Sequence, residues 1–148
     1  MTHRIHTEIA AKSEVTCWAF VAFGPDGCAV YGGSGVAESG ECAEAELETF
    51  IHAVSWAVRT GTSAAVYTSY FPFTVATPEP LHSLLKSVKQ DRNVSISLLS
   101  SKGRRDVIGA SAAHHAAKSA LDRFLRTRDV GKALWDYPLN KVRLIPTP

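Results

Sequence analysis

Apolar residues recur along this chain with two different spacings, and the switch between them marks out the elements. Arg4 to Ala11 reads as a first strand, with His6, Glu8 and Ala10 on one face. Val15 to Phe23 (VTCWAFVAF) is β-branched and aromatic with no helix cap before it, and predicts a second strand. Gly24-Pro25-Asp26-Gly27 is a turn, because proline presets φ and glycine permits a positive one. Cys28 to Val36 returns as the other arm of a hairpin, and its glycines indicate a sheet edge or a bulge.

After the hairpin the period changes. Ala43, Leu47, Phe50, Ile51, Val54 and Val58 follow helical spacing and predict an amphipathic helix from Glu41 to Arg59, stopped at Gly61. Acidic residues crowd its first turn, where the helix dipole favours them. Ala64 to Ser69 is a short buried-type strand. Glu79 to Gln90 predicts a second helix with Leu81, Leu84, Leu85 and Val88 inward, and Val94 to Leu99 alternates as a strand. The basic loop Lys102-Gly103-Arg104-Arg105-Asp106 precedes a third helix, Ser111 to Arg128, lined by Ala113, Ala116, Ala117, Ala120, Leu121 and Phe124.

The order is therefore β-β-β-α-β-α-β-α. Three opening strands form a meander, and each later strand returns through a helix by a right-handed crossover. The expected fold is α/β, a mixed five-stranded sheet flanked by helices. Residues 1–128 make this one domain, and residues 129–148 an extended, proline-punctuated tail. The tail carries Trp135 and Tyr137 and is not low-complexity. Such a terminus docks on its own domain or on a partner subunit by strand addition or groove filling, so a homodimer is a reasonable expectation.

Composition narrows the class. With 148 residues, 45% of them hydrophobic and 20% charged, the chain has material for one core and is not a disordered segment. No run of roughly 18 apolar residues offers a membrane span, and Met1-Thr2-His3-Arg4 leads into no apolar signal segment. Cys17, Cys28 and Cys42 lack CxxC spacing and read as reduced thiols, which points to the cytoplasm. The net charge of +2 hides a split: residues 1–58 hold two basic against eight acidic residues, and the remainder fourteen basic against six acidic. An acidic half beside a basic half suits a protein that handles polyanions through metal ions.

The element order, with a glutamate early in the first helix, resembles the ribonuclease H family from about Arg4 to Phe124. The family's first strand carries an acid that is the first metal ligand, and Ile5-His6-Thr7-Glu8-Ile9-Ala10 puts Glu8 there. Ala45-Glu46-Leu47 matches the family's Glu-Leu motif, with Glu46 as second ligand. The third acid of the family follows its fourth strand, where Tyr67-Thr68-Ser69-Tyr70 has Ser69 instead. Lys102-Gly103-Arg104 matches the family's Lys-Gly-His loop, and an ungapped count from it sets His114 at the place of the fourth acid.

The resemblance implies a fold that binds RNA/DNA hybrid or another duplex, with altered phosphodiester hydrolysis. Its site residues would be Glu8, Glu46, Ser69 and His114, with Glu8, Glu46 and His114 as ligands for magnesium or manganese. Magnesium prefers oxygen donors, and a nitrogen donor such as His114 suits manganese better. Neutral Ser69 cannot replace a carboxylate that bridges two ions. Asp106 and Glu48 are the carboxylates available to complete the set from other positions. Lys102, Arg104 and Arg105 would meet phosphates without reading sequence. Lys86, Lys89, Arg92, Arg123, Arg126 and Arg128 extend the basic surface, or complement helix C-termini. Tyr70, Phe71 and Phe73 are available to stack on bases or to pack the sheet edge.

Overall fold

The computed structural model describes residues 2–68, 79, 81–89, 94–100, 107–130 and 135–137. β1 (His3–Lys12), β2 (Val15–Phe23) and β3 (Ala29–Val36) form the antiparallel meander. α1 (Cys42–Thr60) leads to β4 (Ala64–Thr68), α2 (Leu81–Lys89) to β5 (Ile96–Ser100), and α3 (Val107–Thr127) to a short β6 (Trp135–Tyr137). β4 runs parallel to β1 and β5 parallel to β4, so the strand order is β5-β4-β1-β2-β3-β6. Among the described residues, no helix is long and apolar enough to cross a membrane.

The five expected strands and three helices occur in the expected order. The tail adds a sixth strand, antiparallel to β3, with Gly33 opposite Asp136. Strand addition, the argument for a homodimer, is thus met within one chain.

β2 is buried on both faces, and that is why its sequence is a continuous apolar run. Trp18, Phe20 and Ala22 join Phe50, Ala53, Val54 and Trp56 of α1 in the main core. On the other face Val21 and Phe23 meet Ala113 of α3, and Cys17 meets Ala120 and Leu121. The alanines expected to line α3 bring it close to the sheet. The glycines of β3 serve those rings: Gly33 pairs with Phe20 and Gly35 with Trp18. A Cβ at these positions would come within 2.8 Å of Phe20 and 2.9 Å of Trp18. The expected bulge is in β3, where Val30 is the extra residue between the Ala22↔Tyr31 and Phe23↔Ala29 pairs, not at a glycine.

Two helix boundaries carry information. α1 ends as expected at Gly61, in the left-handed region with φ 65. The N–H groups of Gly61 and Thr62 donate to the carbonyls of Val58 and Ala57 at 3.2 and 2.8 Å. α3 begins at Val107, four residues before the expected Ser111. Gly109 discourages a helical reading of that first turn, but packing overrides propensity there, because the glycine lies against the buried His6 ring.

The β1–β2 hairpin closes with only Ser13 and Glu14 between the paired Lys12 and Val15. Both have positive φ, 54 and 65, as a type I′ turn requires. Neither residue favours that region, and each pays a steric cost of about 1–2 kcal/mol. Ser13→Asn with Glu14→Gly is therefore expected to stabilise the fold by about 1 kcal/mol, partly offset by glycine's unfolded-state entropy. A thermal melt should show the midpoint up by about 2–4 °C; an unchanged or lower midpoint would mean that the turn is not strained.

Candidate active site

The site forms where β1, β4 and α1 meet. β1 and β4 pair in parallel from His3↔Ala64 to His6↔Tyr67. The Thr7 hydroxyl donates to the Tyr67 carbonyl at 2.9 Å and pins the two strands together at that end. Alternation along β1 sends Ile5 and Ile9 into the core under α1, and Ala10 against α3. Glu8 follows the pinned pair, opposite Ala19 of β2, and is half-buried.

Glu46 comes from the opening of α1. Leu47 beside it was the expected stripe residue and is partly buried, whereas Glu46 itself is only 4% exposed. A glutamate needs a reason to be there, and one is the Thr68 hydroxyl, which donates to its Oε2 at 3.0 Å. The two carboxylates feel each other. Glu8 is pushed up from 4.5 to about 7, chiefly by burial and then by the like charge of Glu46. Near neutrality, one proton or one cation relieves that repulsion. The donors are all hard oxygens, and they fit a magnesium or manganese ion that completes its shell with water and phosphate.

His6 sits two residues before Glu8 and is 2% exposed. It stacks on Tyr67 with centroids 5.0 Å apart and meets Phe23 edge-on at 6.0 Å. Its role in the sheet is that of a packing ring on the face covered by α3.

Of the other expected site residues that are described, His114 is not gathered with Glu46. His114 and His115 lie on the exposed face of α3. Among the described residues, no three His, Cys, Asp or Glu side chains come together as a metal-holding group. Glu48 is turned to the loop before α1: its Oε2 accepts the Glu38 N–H at 3.1 Å, and its Oε1 is 3.9 Å from His52. Ser69, Asp106, Lys102, Arg104, Arg105, Arg92 and the aromatics Tyr70, Phe71 and Phe73 lie outside the described residues, as does the side chain of Lys89. Lys86 is exposed on α2. Arg126 and Arg128 are exposed at the end of α3, where Arg128 lies over the Phe124 ring at 5.8 Å.

Thr68 was missed by reading the sequence, which drew attention to Ser69 beside it. The available signal was alternation: Ala64 and Val66 belong to the core under α1, and Thr68 continues that face.

The solved structure of the LC11 ribonuclease H1 in complex with an RNA/DNA hybrid superposes with a TM-score of 0.59 at 14% sequence identity, covering 81% of this chain and 99% of that one. The fold is ribonuclease H-like. Ribonuclease H1 from the halophilic archaeon Halobacterium salinarum agrees, with a TM-score of 0.56 at 15% identity over 80% of this chain and 98% of that one. The protease–reverse transcriptase of prototype foamy virus gives a TM-score of 0.54 at 14% identity over 80% of this chain and 20% of that one. No family model and no curated protein sequence matches the chain. In this ribonuclease H-like frame Glu46 is buried and bonded to Thr68, and its charge adds to the burial that raises Glu8.

Proposed function

We propose that the protein binds RNA/DNA hybrid or another duplex nucleic acid, and that it hydrolyses phosphodiesters weakly or not at all. The observation that carries this reading is the Glu8–Glu46 pair, two coupled carboxylates where the family's reaction uses four ligand positions. Ser69 and His114 occupy the other two places in sequence, and neither supplies a carboxylate. Glu8 and Glu46 would together hold one magnesium or manganese ion. When bound, such an ion neutralises phosphate charge and lowers the pKa of its water. Thr68 keeps Glu46 in place, and Glu8 gives up its proton as the cation arrives. At the place the resemblance gives to a bridging carboxylate, Ser69 would supply no charge for a second ion. The basic residues Lys102, Arg104, Arg105 and Lys86 supply backbone contacts that do not depend on sequence.

The test is a labelled RNA/DNA hybrid incubated with the protein in magnesium and, separately, in manganese, with Glu46→Gln alongside. We expect a shifted band on a native gel, affinity falling steeply with salt, and little or no cleavage. Changing Lys102, Arg104 and Arg105 to alanine should flatten the slope of log affinity against log salt by about 3. Cleavage by the parent that disappears in Glu46→Gln would replace this reading with a live nuclease of reduced ligand set. Absence of any shift would leave a protein-interaction module that keeps only the fold.

A further inference from the structure

Glu46 must reach its neighbour from a helix, along a side chain with three rotatable bonds. Its direction is set from the sheet. Oε2 accepts the 3.0 Å hydrogen bond from Thr68, which closes β4 and is fully buried. Thr68 is β-branched and stiff at χ1. Its backbone is fixed on both sides, by pairing with Ser100 of β5 and by the Thr7 hydroxyl on the preceding carbonyl. One oxygen of Glu46 is thereby tied to a buried, doubly anchored end of β4.

We propose that Thr68 is a positioning residue: it ties Oε2 of Glu46 and so orients that carboxylate for a divalent cation. The inference deepens the function proposed above and rests on it for the cation. The competing role is structural, in which Thr68 only satisfies a buried carboxylate and any buried hydroxyl nearby would matter equally. Thr49 provides that comparison. It is fully buried on α1, one turn after Ala45, and its hydroxyl donates to the Ala45 carbonyl at 2.7 Å without reaching the acid pair.

The experiment is a manganese titration of the full chain, with free ion followed by its electron paramagnetic resonance signal. The parent binds manganese, and Thr68→Val binds it about 10- to 100-fold more weakly, as loss of an outer-shell partner does. Thr68→Ser keeps the hydroxyl and stays near the parent, and Thr49→Val lowers the melting temperature while holding its manganese affinity. Where valine prevents folding, Thr68→Ala makes the same comparison. Parental affinity in the Thr68 variants, or an equal loss in Thr49→Val, overturns the positioning role and leaves the pair as a cation site. A parent that binds no manganese overturns the inference together with the cation site, and the hybrid gel then judges nucleic-acid binding separately.

Discussion

At pH 8 the Glu8→Gln variant is expected to be more stable than the parent by about 1–2 kcal/mol. Glu8 titrates at about 7 in the folded protein and at 4.5 where nothing perturbs it. Between those values the folded state holds a proton that the unfolded state has lost, so stability falls as pH rises through this window. The full shift corresponds to about 3 kcal/mol, and solvent around the half-buried group reduces it to the smaller figure. Glutamine removes the charge and the slope with it. Urea melts of both proteins from pH 5 to pH 8 isolate the effect, since Glu48, raised by burial, and His52, lowered by burial, contribute equally to each. Stability that diverges with rising pH is the expected result; parallel curves would mean that Glu8 is not raised in the folded protein. Glu46→Gln should lower the Glu8 pKa only in part, because burial is the larger cause.

The sheet was legible because its strands and helices follow different periods, and β2 announces its double burial in nine consecutive apolar, aromatic and β-branched residues. What escaped was whatever depends on a partner far away in sequence. β6 is three residues long and has no pattern of its own; it is a strand only because β3 lies beside it. Gly109 reads as a breaker until His6 is placed against it. Glu46 reads from the sequence as a first-turn acid, a position the helix dipole also explains, but the structure puts Glu44 in that turn, and the burial of Glu46 and its bond to Thr68 separate it from the dipole account. His114 matches by counting, yet the count says nothing of which way a helix is rotated. α3 turns its alanines to the sheet and this histidine to solvent.

Gly109→Ala is expected to destabilise the protein, although alanine is favoured over glycine inside a helix by about 1 kcal/mol. An added Cβ would press on Cδ2 and Nε2 of His6, with Cε1 only 2.9 Å away. The ring cannot step aside, because it stacks on Tyr67 at 5.0 Å with 14° between planes and abuts Phe23 edge-on. Overpacking of this kind costs about 1–3 kcal/mol, which outweighs the gain in propensity and leaves a net loss of about 1–2 kcal/mol. A double-mutant cycle separates the terms. Once His6→Ala has removed the ring, the same Gly109→Ala change should become neutral or stabilising by up to about 1 kcal/mol. The coupling between the two positions should then be about 1–3 kcal/mol. Equal effects of Gly109→Ala in both backgrounds would show that the ring does not bear on the helix. With the coupling present, the approach of α3 to β1 is set by an imidazole on the strand that also carries Glu8.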